Sequence, residues 1–277
     1  MANDKYSATW VSHSSISDFL KCPRLYYLKN VYKNPKTGHK MNIIKPSLAL
    51  GQVVHNIIEE LQKLPREQRF LVSLQKKLDV YWTDISGKKG GFKNFIEESE
   101  YKDRAMKMLA RLETNPGPLA GRAIQRKEDL PQYYISEKEN IILCGKIDWM
   151  EYLGDTDSVH IIDFKTGKNE EDGSSLQLPI YCLLARNIQS KPVSKVSYWY
   201  LDKDEGPRES IYPDIVAAEE NIMEIARRIK LARQINHFKC PEEGCFACRP
   251  FENIFNNDAE FVGVGGYNQD YYIIPAS

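Results

Sequence analysis

The stretch Val159-His-Ile-Ile-Asp-Phe-Lys165 carries the strongest fold signal in this sequence. Its β-branched and apolar residues predict a strand that is buried inside a sheet. Side chains alternate between the two faces of a strand, so Asp163 and Lys165 should share one face while Phe164 points to the other. We therefore expect an acid and a base side by side on one surface.

Two further segments before this strand have strand-like patterns. They cover residues 133–135 and 141–152, with polar turns at residues 137–140 and 154–157, which together predict a β-meander. Asp148 falls near the middle of the second segment, where an unpaired carboxylate is costly to bury. If the strands pair across the second turn, Asp148 and Asp163 converge.

Two converging carboxylates repel each other unless a cation lies between them, and oxygen ligands favour Mg²⁺ or Mn²⁺. Such an ion can activate water and stabilise charge on a phosphodiester, while a nearby lysine contacts the phosphate. Taken alone, an Asp-x-Lys triplet at a strand end is more often an exposed ion pair. His55 could add a ligand from a helix, although a lone helical histidine is more often packed or exposed.

Helical patterns surround the predicted strands. They cover residues 15–31, 46–64, 176–187 and 215–235, and a charged helical region follows the second of them. Ser15-Ile-Ser-Asp18 has the form of a capping box at the start of the first helix. Residues 195–201 add a further strand. This order predicts an α/β fold in which helices flank a mixed central sheet.

The composition bounds the possible functions. The chain has 277 residues, 42% of them hydrophobic, and 38 Lys and Arg residues balance 38 Asp and Glu residues. With no net charge there is no overall field to attract a polyanion, so any nucleic-acid contact needs a local patch. Basic residues near the end of the last predicted helix could form one, although they also suit the helix dipole: Arg227, Arg228, Lys230 and Arg233. Without a signal-peptide pattern or an apolar span of ~20 residues, we expect a cytoplasmic protein with no membrane partner.

The six cysteines divide into two groups. Cys144 and Cys182 lie in apolar segments and are expected to be buried. The other late cysteines, Cys240, Cys245 and Cys248, crowd into a polar segment with Gly and Pro, which is poor core material but suits a metal-binding loop. In a reducing compartment these thiols are not expected to form disulfides.

Four motifs in order along the chain resemble the RecB-type branch of the PD-(D/E)XK nucleases. They are Gly51-x-x-x-His55, Gly145-x-x-Asp148, Ile161-Ile-Asp-x-Lys-Thr-Gly167 and Gln177-x-x-x-Tyr181. The resemblance implies a mixed central sheet of the restriction-endonuclease-like type with a helical insertion. It also implies that His55, Asp148, Asp163 and the main-chain carbonyl of Phe164 bind Mg²⁺ or Mn²⁺. Lys165 would be the catalytic lysine, Gln177 and Tyr181 would contact DNA, and Glu128 is a looser acidic match before the first core strand.

The cysteines resemble a subset of the same family that includes the AddB nuclease subunit and the CRISPR-adaptation exonucleases. In that subset an early cysteine and three late ones hold a 4Fe-4S cluster that joins the two ends of the domain. Cys22, Cys240, Cys245 and Cys248 match this set. In the usual pattern the remaining late cysteine follows the Cys-x-x-Cys pair, whereas here Cys240 precedes it. Zinc, or no metal at all, therefore remains an alternative to the iron–sulfur cluster.

The resemblance implies one nuclease domain over residues 1–277. Its expected parts are an N-terminal helix with the first cysteine (1–45), a helical region (46–127), the catalytic sheet and helix (128–205), and a C-terminal helix with the cysteine loop (206–277). The expected activity is a DNA exonuclease acting on single strands or ends, in recombination, repair, phage replication or CRISPR adaptation. No Walker-type motif is present, so unwinding would need a partner such as a helicase. The alternatives are a non-cutting DNA-binding or assembly subunit and a metal-stapled interaction module.

Overall fold

The computed structural model of the chain describes residues 4–125, 128–266 and 268–275. Its α-helices are α1 (His13–Lys21), α2 (Pro23–Tyr26), α3 (Pro46–Lys63), α4 (Leu74–Trp82), α5 (Phe95–Thr114), α6 (Gln177–Ile188), α7 (Ile215–Gln234) and α8 (Arg249–Phe255). Its strands are β1 (Thr9–Val11), β2 (Lys40–Ile43), β3 (Gln132–Ser136), β4 (Ile141–Cys144), β5 (Trp149–Leu153), β6 (Ser158–Lys165), β7 (Val193–Tyr200), β8 (Arg208–Glu209), β9 (Glu260–Gly265) and β10 (Gln269–Ile273). The mixed α/β class with flanking helices is confirmed.

The strands of the described residues are hydrogen-bonded in three sheets. The largest has the order β5-β6-β7-β8, in which β6 and β7 are parallel and the outer pairs are antiparallel. A second sheet has the order β1-β4-β3, and a third has the order β2-β10-β9. Each sheet mixes parallel and antiparallel pairs. The parallel connection from β6 to β7 runs through α6, as expected for a βαβ unit.

The largest sheet is covered on both faces, which explains the apolar character of strand β6. One face, which carries Ile161 and Val196, packs against α6 and α7. The other face, which carries Trp149, Phe164 and Trp199, packs against α3, α4 and α5. Burying each side chain of this kind contributes about 1.5–3 kcal/mol to the free energy of unfolding. The two helical layers therefore hold β6 in a fixed position.

The predicted strand over residues 141–152 is wrong, because the chain leaves strand geometry between β4 and β5. These two halves belong to different sheets. The link begins at Gly145, where an added Cβ would lie only 2.9 Å from Leu184 Cδ1 on α6. Glycine lets the link pass close to α6, and Asp148 ends it just before β5.

The predicted first helix over residues 15–31 is also wrong as one element. Helix α1 starts earlier, because Ser12 caps it and shares a reciprocal capping box with Ser15. It ends at Cys22, which has extended geometry (φ −168°, ψ 120°). The residue before a proline avoids helical geometry, and Pro23 follows directly. Helix α2 and a π-helical turn (Tyr27–Val31) complete the segment.

The third sheet joins two distant parts of the chain and was not predicted from the sequence. Strand β10 pairs in parallel with β2, and its Asp270 is buried. The Asp270 carboxylate accepts a hydrogen bond from Thr37 at 2.8 Å and lies 2.8 Å from His39 Nδ1. A cluster of buried side chains that includes Cys22, Cys245 and Cys248 packs beside this sheet. The two ends of the described chain are thus held together in the region of the cysteines.

Candidate active site

Asp163 and Lys165 lie at the end of β6 on one face of the sheet, as the alternation predicts. Asp163 is only 1% exposed, and its Oδ1 accepts a hydrogen bond of 2.6 Å from Gln177 Nε2. Lys165 Nζ lies 3.1 Å from Asp163 Oδ2 as an ion pair. The angles at this contact do not make a hydrogen bond, so Oδ2 accepts none from the described residues. One oxygen of a buried carboxylate is therefore incompletely satisfied.

Asp148 reaches the same site from the link between β4 and β5. Its Oδ2 accepts a hydrogen bond of 3.1 Å from the Phe164 amide. The same oxygen lies 3.4 Å from His55 Nδ1. The Phe164 ring points to the opposite face, where it packs on Trp199 with 5.6 Å between the ring centroids. The main chain of β6 at Phe164 thus follows Asp163 directly in sequence and lies beside Asp148 in space.

Helix α3 presents His55 because it approaches β6 closely. A Cβ added to Gly51 would lie 3.0 Å from Thr166 Oγ1, so only a small residue fits without displacing this contact. His55 follows four residues later and therefore lies on the same helical face. The Gly-x-x-x-His spacing is explained by this approach.

Helix α6 contributes an amide and a phenol. Gln177 Oε1 accepts a hydrogen bond from Lys165 Nζ, and Gln177 Nε2 donates to both Asp163 Oδ1 and the Tyr181 hydroxyl, the latter at 3.2 Å. Tyr181 is 7% exposed. In this arrangement Gln177 bridges the acid and the base, while Tyr181 orients the bridge.

The pKa values of the two aspartates are shifted in opposite directions. Burial and the nearby negative charge of Asp148 raise the pKa of Asp163 to about 7. Burial also opposes ionisation of Asp148, but the positive charge and hydrogen bond of His55 outweigh it and lower the Asp148 pKa. For Lys165, the charges of Asp163 and Glu171 outweigh burial and raise the pKa. Burial and the charge of Asp148 thus disfavour the ionised form of Asp163, which a further cation beside it would favour.

This donor set fits a divalent cation with oxygen and imidazole ligands. A cation near Asp163, in addition to the Lys165 ammonium, would satisfy its Oδ2 and offset the repulsion from Asp148.

The four predicted cysteines lie together. The Sγ atoms of Cys22, Cys240, Cys245 and Cys248 are all within 4.8 Å of one another, and the cysteines are not in disulfides. The extended geometry at Cys22, before Pro23, places this thiol between α1 and α2. The three late cysteines come from the loop between α7 and α8 and from the N-cap of α8. The predicted cysteine cluster is confirmed as a spatial group.

The thiols of this group differ in acidity. The Cys240 Sγ accepts hydrogen bonds of 3.3 Å from the amides of Cys245 and Gly244, and these amides lower its pKa to about 6. Burial raises the pKa of Cys248 and of Cys22. One thiolate is stabilised by the chain itself, and further thiolates need a positive centre between them. Four converging sulfur atoms fit zinc or an iron–sulfur cluster.

Comparison with known proteins decides the family. The profile of the PD-(D/E)XK nuclease superfamily matches residues 10–250, which is most of the chain. This chain belongs to the PD-(D/E)XK nuclease superfamily. The match includes both aspartates, the lysine and all four clustered cysteines. The curated proteins compared with the sequence give no match.

A solved structure supports the superfamily fold. The crystal structure of a "Putative exonuclease" from Eubacterium rectale is similar to this nuclease-superfamily chain, with a TM-score of 0.53 and 15% sequence identity. The similarity covers 90% of this chain and 92% of that chain. At this identity the likeness establishes the shared fold.

Glu171 is a contact of Lys165 that the sequence analysis missed. Its Oε2 lies 2.9 Å from Lys165 Nζ, and its Oε1 accepts a hydrogen bond of 2.9 Å from Ser175. The backbone amide of Glu171 donates to the Tyr200 hydroxyl at 3.0 Å. The only sequence signal is an acidic run, Glu170-Glu171-Asp172, which resembles an ordinary polar loop. Lys165 is thus held by carboxylates from both β6 and the following loop.

Glu128 lies apart from the network around Asp163. It is exposed and lines a separate cavity with Met150 and Gln189. No ion pair or hydrogen bond links its side chain to the other candidate residues in the described parts of the chain. The Glu128 side chain therefore makes no contact with this network among the described residues.

The basic residues near the end of α7 are mostly engaged within the protein. Arg227 forms a bidentate ion pair with Glu139, and Lys230 donates a hydrogen bond of 2.5 Å to the Glu139 carbonyl. Arg228 lies over the Phe19 ring. Arg233 has a weaker contact, a hydrogen bond of 3.4 Å to the Tyr26 hydroxyl. A basic patch made of all four is not present, and Arg233 is the least engaged.

None of the described helices combines the length and apolar character needed to cross a bilayer.

Proposed function

We propose that this protein is a Mg²⁺- or Mn²⁺-dependent deoxyribonuclease, and that it acts as an exonuclease on single strands or DNA ends. The observation that carries the proposal is the grouping of Asp148, Asp163 and Lys165, in which Asp163 is buried and its pKa is raised by burial and by Asp148. The superfamily match supports a phosphodiester substrate. The description of the similar structure as an exonuclease supports the exonuclease mode.

Each side chain has a proposed task. Asp148, Asp163, His55 and the Phe164 carbonyl would hold the cation, which would supply an activated water and charge stabilisation at the phosphate. Lys165 keeps its proton because of Asp163 and Glu171, so it can donate a hydrogen bond to a phosphate oxygen. Gln177 keeps Asp163 and Lys165 at their present separation. We further propose that residues 1–277 act as one nuclease domain.

The cysteine group is proposed to bind a 4Fe-4S cluster, with zinc as the alternative. The stabilised Cys240 thiolate and the close approach of all four sulfur atoms support a thiolate-bound centre. Its position in a separate buried cluster beside the third sheet supports a structural role. Iron and acid-labile sulfide analysis of anaerobically purified protein distinguishes the two alternatives.

The nuclease proposal is tested with end-labelled single-stranded and double-stranded oligonucleotides in Mg²⁺ or Mn²⁺. We expect stepwise shortening by the wild type, no cleavage in EDTA, and at least about a hundredfold loss in Asp163→Ala and Lys165→Ala. Circular dichroism should show that both variants remain folded. Full activity in either variant would contradict the site. DNA and metal binding without cleavage by the wild type would support the alternative of a non-cutting subunit.

A further inference from the structure

A cavity outside the active site has an unusually positive lining. It has a volume of about 300 Å³ and lies between β1, the start of α1, β2 and the end of α7. Its polar lining residues include Trp10, Ser12, Ser15, Asn30, Lys40 and Arg233. Among the described residues that line it, none is acidic, although the chain carries as many acidic as basic residues. The cavity is called the Lys40–Arg233 cavity below.

Both cations of this cavity lack a carboxylate partner in the described residues. The Lys40 ammonium has no hydrogen bond or ion pair there, and the side chain of Arg233 contacts only the Tyr26 hydroxyl, at 3.4 Å. By contrast, Lys29 is paired, because its Nζ lies 2.8 Å from Asp18 Oδ1. Burial, together with the positive charges of Lys33 and Arg233, lowers the pKa of Lys40. An anion in the cavity would relieve this repulsion.

The chemistry of the lining suits a phosphate group. Lys40 offers a point charge, and the planar Arg233 guanidinium can bind two phosphate oxygens at once. The Ser12 hydroxyl adds a hydrogen-bond donor. Trp10 forms an aromatic wall, and its indole nitrogen donates a hydrogen bond of 3.0 Å to the Lys5 carbonyl, which orients the ring. Cations beside an oriented aromatic ring are typical of sites that bind single-stranded nucleic acid.

The start of α1 lies between the cavity and the candidate active site. Ser12 lines the cavity, and the next residue, His13, is near enough to Lys165 and Glu171 for their charges to act on it. On the other side, Cys144 lines the cavity and precedes Asp148 by four residues. A strand bound at Lys165 could therefore continue into the cavity.

We propose that the Lys40–Arg233 cavity binds a backbone phosphate of the substrate DNA strand, other than the phosphate that is cut, and that the adjacent base packs on Trp10. The proposal rests on the proposed nuclease function. It assigns Lys40, Arg233 and Trp10 to substrate binding and leaves the chemical step to the residues around Asp163.

The first test measures binding of a fluorescent single-stranded oligonucleotide in EDTA, where no cleavage occurs. Lys40→Gln and Arg233→Gln should each weaken binding roughly fivefold and lower the slope of log affinity against log salt by about 0.7, the value for one phosphate contact on a single strand. Lys76→Gln is the matched control, because Lys76 is exposed on α4 outside the cavity and also lacks an ion pair. Equal effects at all three positions would overturn the proposal.

The second test identifies the ligand through tryptophan fluorescence. We expect oligonucleotides to quench the tryptophan fluorescence of the wild type. In Trp10→Phe, the part of the quenching that comes from Trp10 should be lost. Inorganic phosphate should compete only weakly. If phosphate alone bound as tightly as the oligonucleotide, the cavity would be a free-phosphate site and the strand contact would be refuted.

These outcomes are separable from those of the nuclease assay. Normal cleavage with unchanged DNA binding in both cavity variants would refute the cavity and leave the nuclease intact. If the wild type never cut DNA but the cavity variants still bound DNA more weakly, the nuclease would be refuted and the cavity would be supported. Thermal unfolding of each variant checks the fold, and Arg233, which is exposed, keeps the test valid if Lys40→Gln is unstable.

Discussion

At the scale of single residues, Asp163 couples the candidate site to pH. Its pKa is raised to about 7 by burial and by Asp148, whereas an aspartate in an unfolded chain titrates near ~3.9. Between these two values the folded protein binds more protons than the unfolded protein. The contribution of Asp163 to stability is therefore lost as the pH rises through this window.

Asp163→Asn should remove this dependence in metal-free protein. As the pH rises from 5 to 8, the wild type should lose stability relative to the variant by on the order of a few kcal/mol. Urea unfolding at several pH values in EDTA measures the difference. Mg²⁺ or Mn²⁺ should restore the wild type and leave the variant unchanged. Parallel pH curves for the two proteins would show that Asp163 is already neutralised by other means.

Glu171 is expected to position Lys165. Glu171→Ala removes one of its two carboxylate partners and should lower kcat roughly tenfold, with little change in the KM for DNA, because misplacing a reacting group slows the chemical step. Glu171→Gln keeps a hydrogen-bond acceptor and should retain more activity than Glu171→Ala. Steady-state kinetics on a labelled oligonucleotide would measure this order. A change in KM alone would instead assign Glu171 to DNA binding.

At the scale of elements, α6 determines how the acid and base face each other. Tyr181→Phe removes the hydroxyl that accepts a hydrogen bond from Gln177, but Gln177 can still donate to Asp163. We expect DNA affinity to fall roughly fivefold, the effect of about one hydrogen bond, and metal affinity to change less. Calorimetric titration with Mn²⁺ and anisotropy with DNA measure the two affinities. A loss of metal affinity with normal DNA binding would reverse the roles proposed for Tyr181.

At the scale of the whole molecule, the two ends of the chain are joined in two ways. One is the cysteine group, and the other is the pairing of β2 with β10, together with the ion pair between Arg24 and Glu252. A bound metal contributes its binding energy to folding. The strand pairing does not depend on metal, so the fold should survive the loss of the cysteine site.

Cys22→Ala should release the metal and lower the melting temperature by roughly 5–10 °C, with cooperative unfolding retained. Cys182→Ala is the matched control, because Cys182 is also fully buried and lies outside the group. Iron, zinc and visible absorbance should change in the first variant only. Equal metal content in the two variants would remove Cys22 from the site.

The sequence by itself determined the features that depend on local periodicity and local chemistry. Alternation in β6 placed Asp163 opposite to Phe164 and beside Lys165, and helical spacing placed Gln177 on one face with Tyr181. These relations hold because neighbouring residues on a strand or helix have a fixed geometry. The cysteine grouping was implied by family resemblance, since spacing alone cannot bring Cys22 to residue 240.

The tertiary structure decided what depends on contacts between distant segments. It placed Asp148 on a link instead of a strand and paired β2 with β10 across more than two hundred residues. It also assembled Lys40 and Arg233 into one cavity. Such pairings form when distant segments replace their contacts with water by contacts with each other. The burial and the electrostatic environment that result are properties of the packed chain rather than of any local stretch.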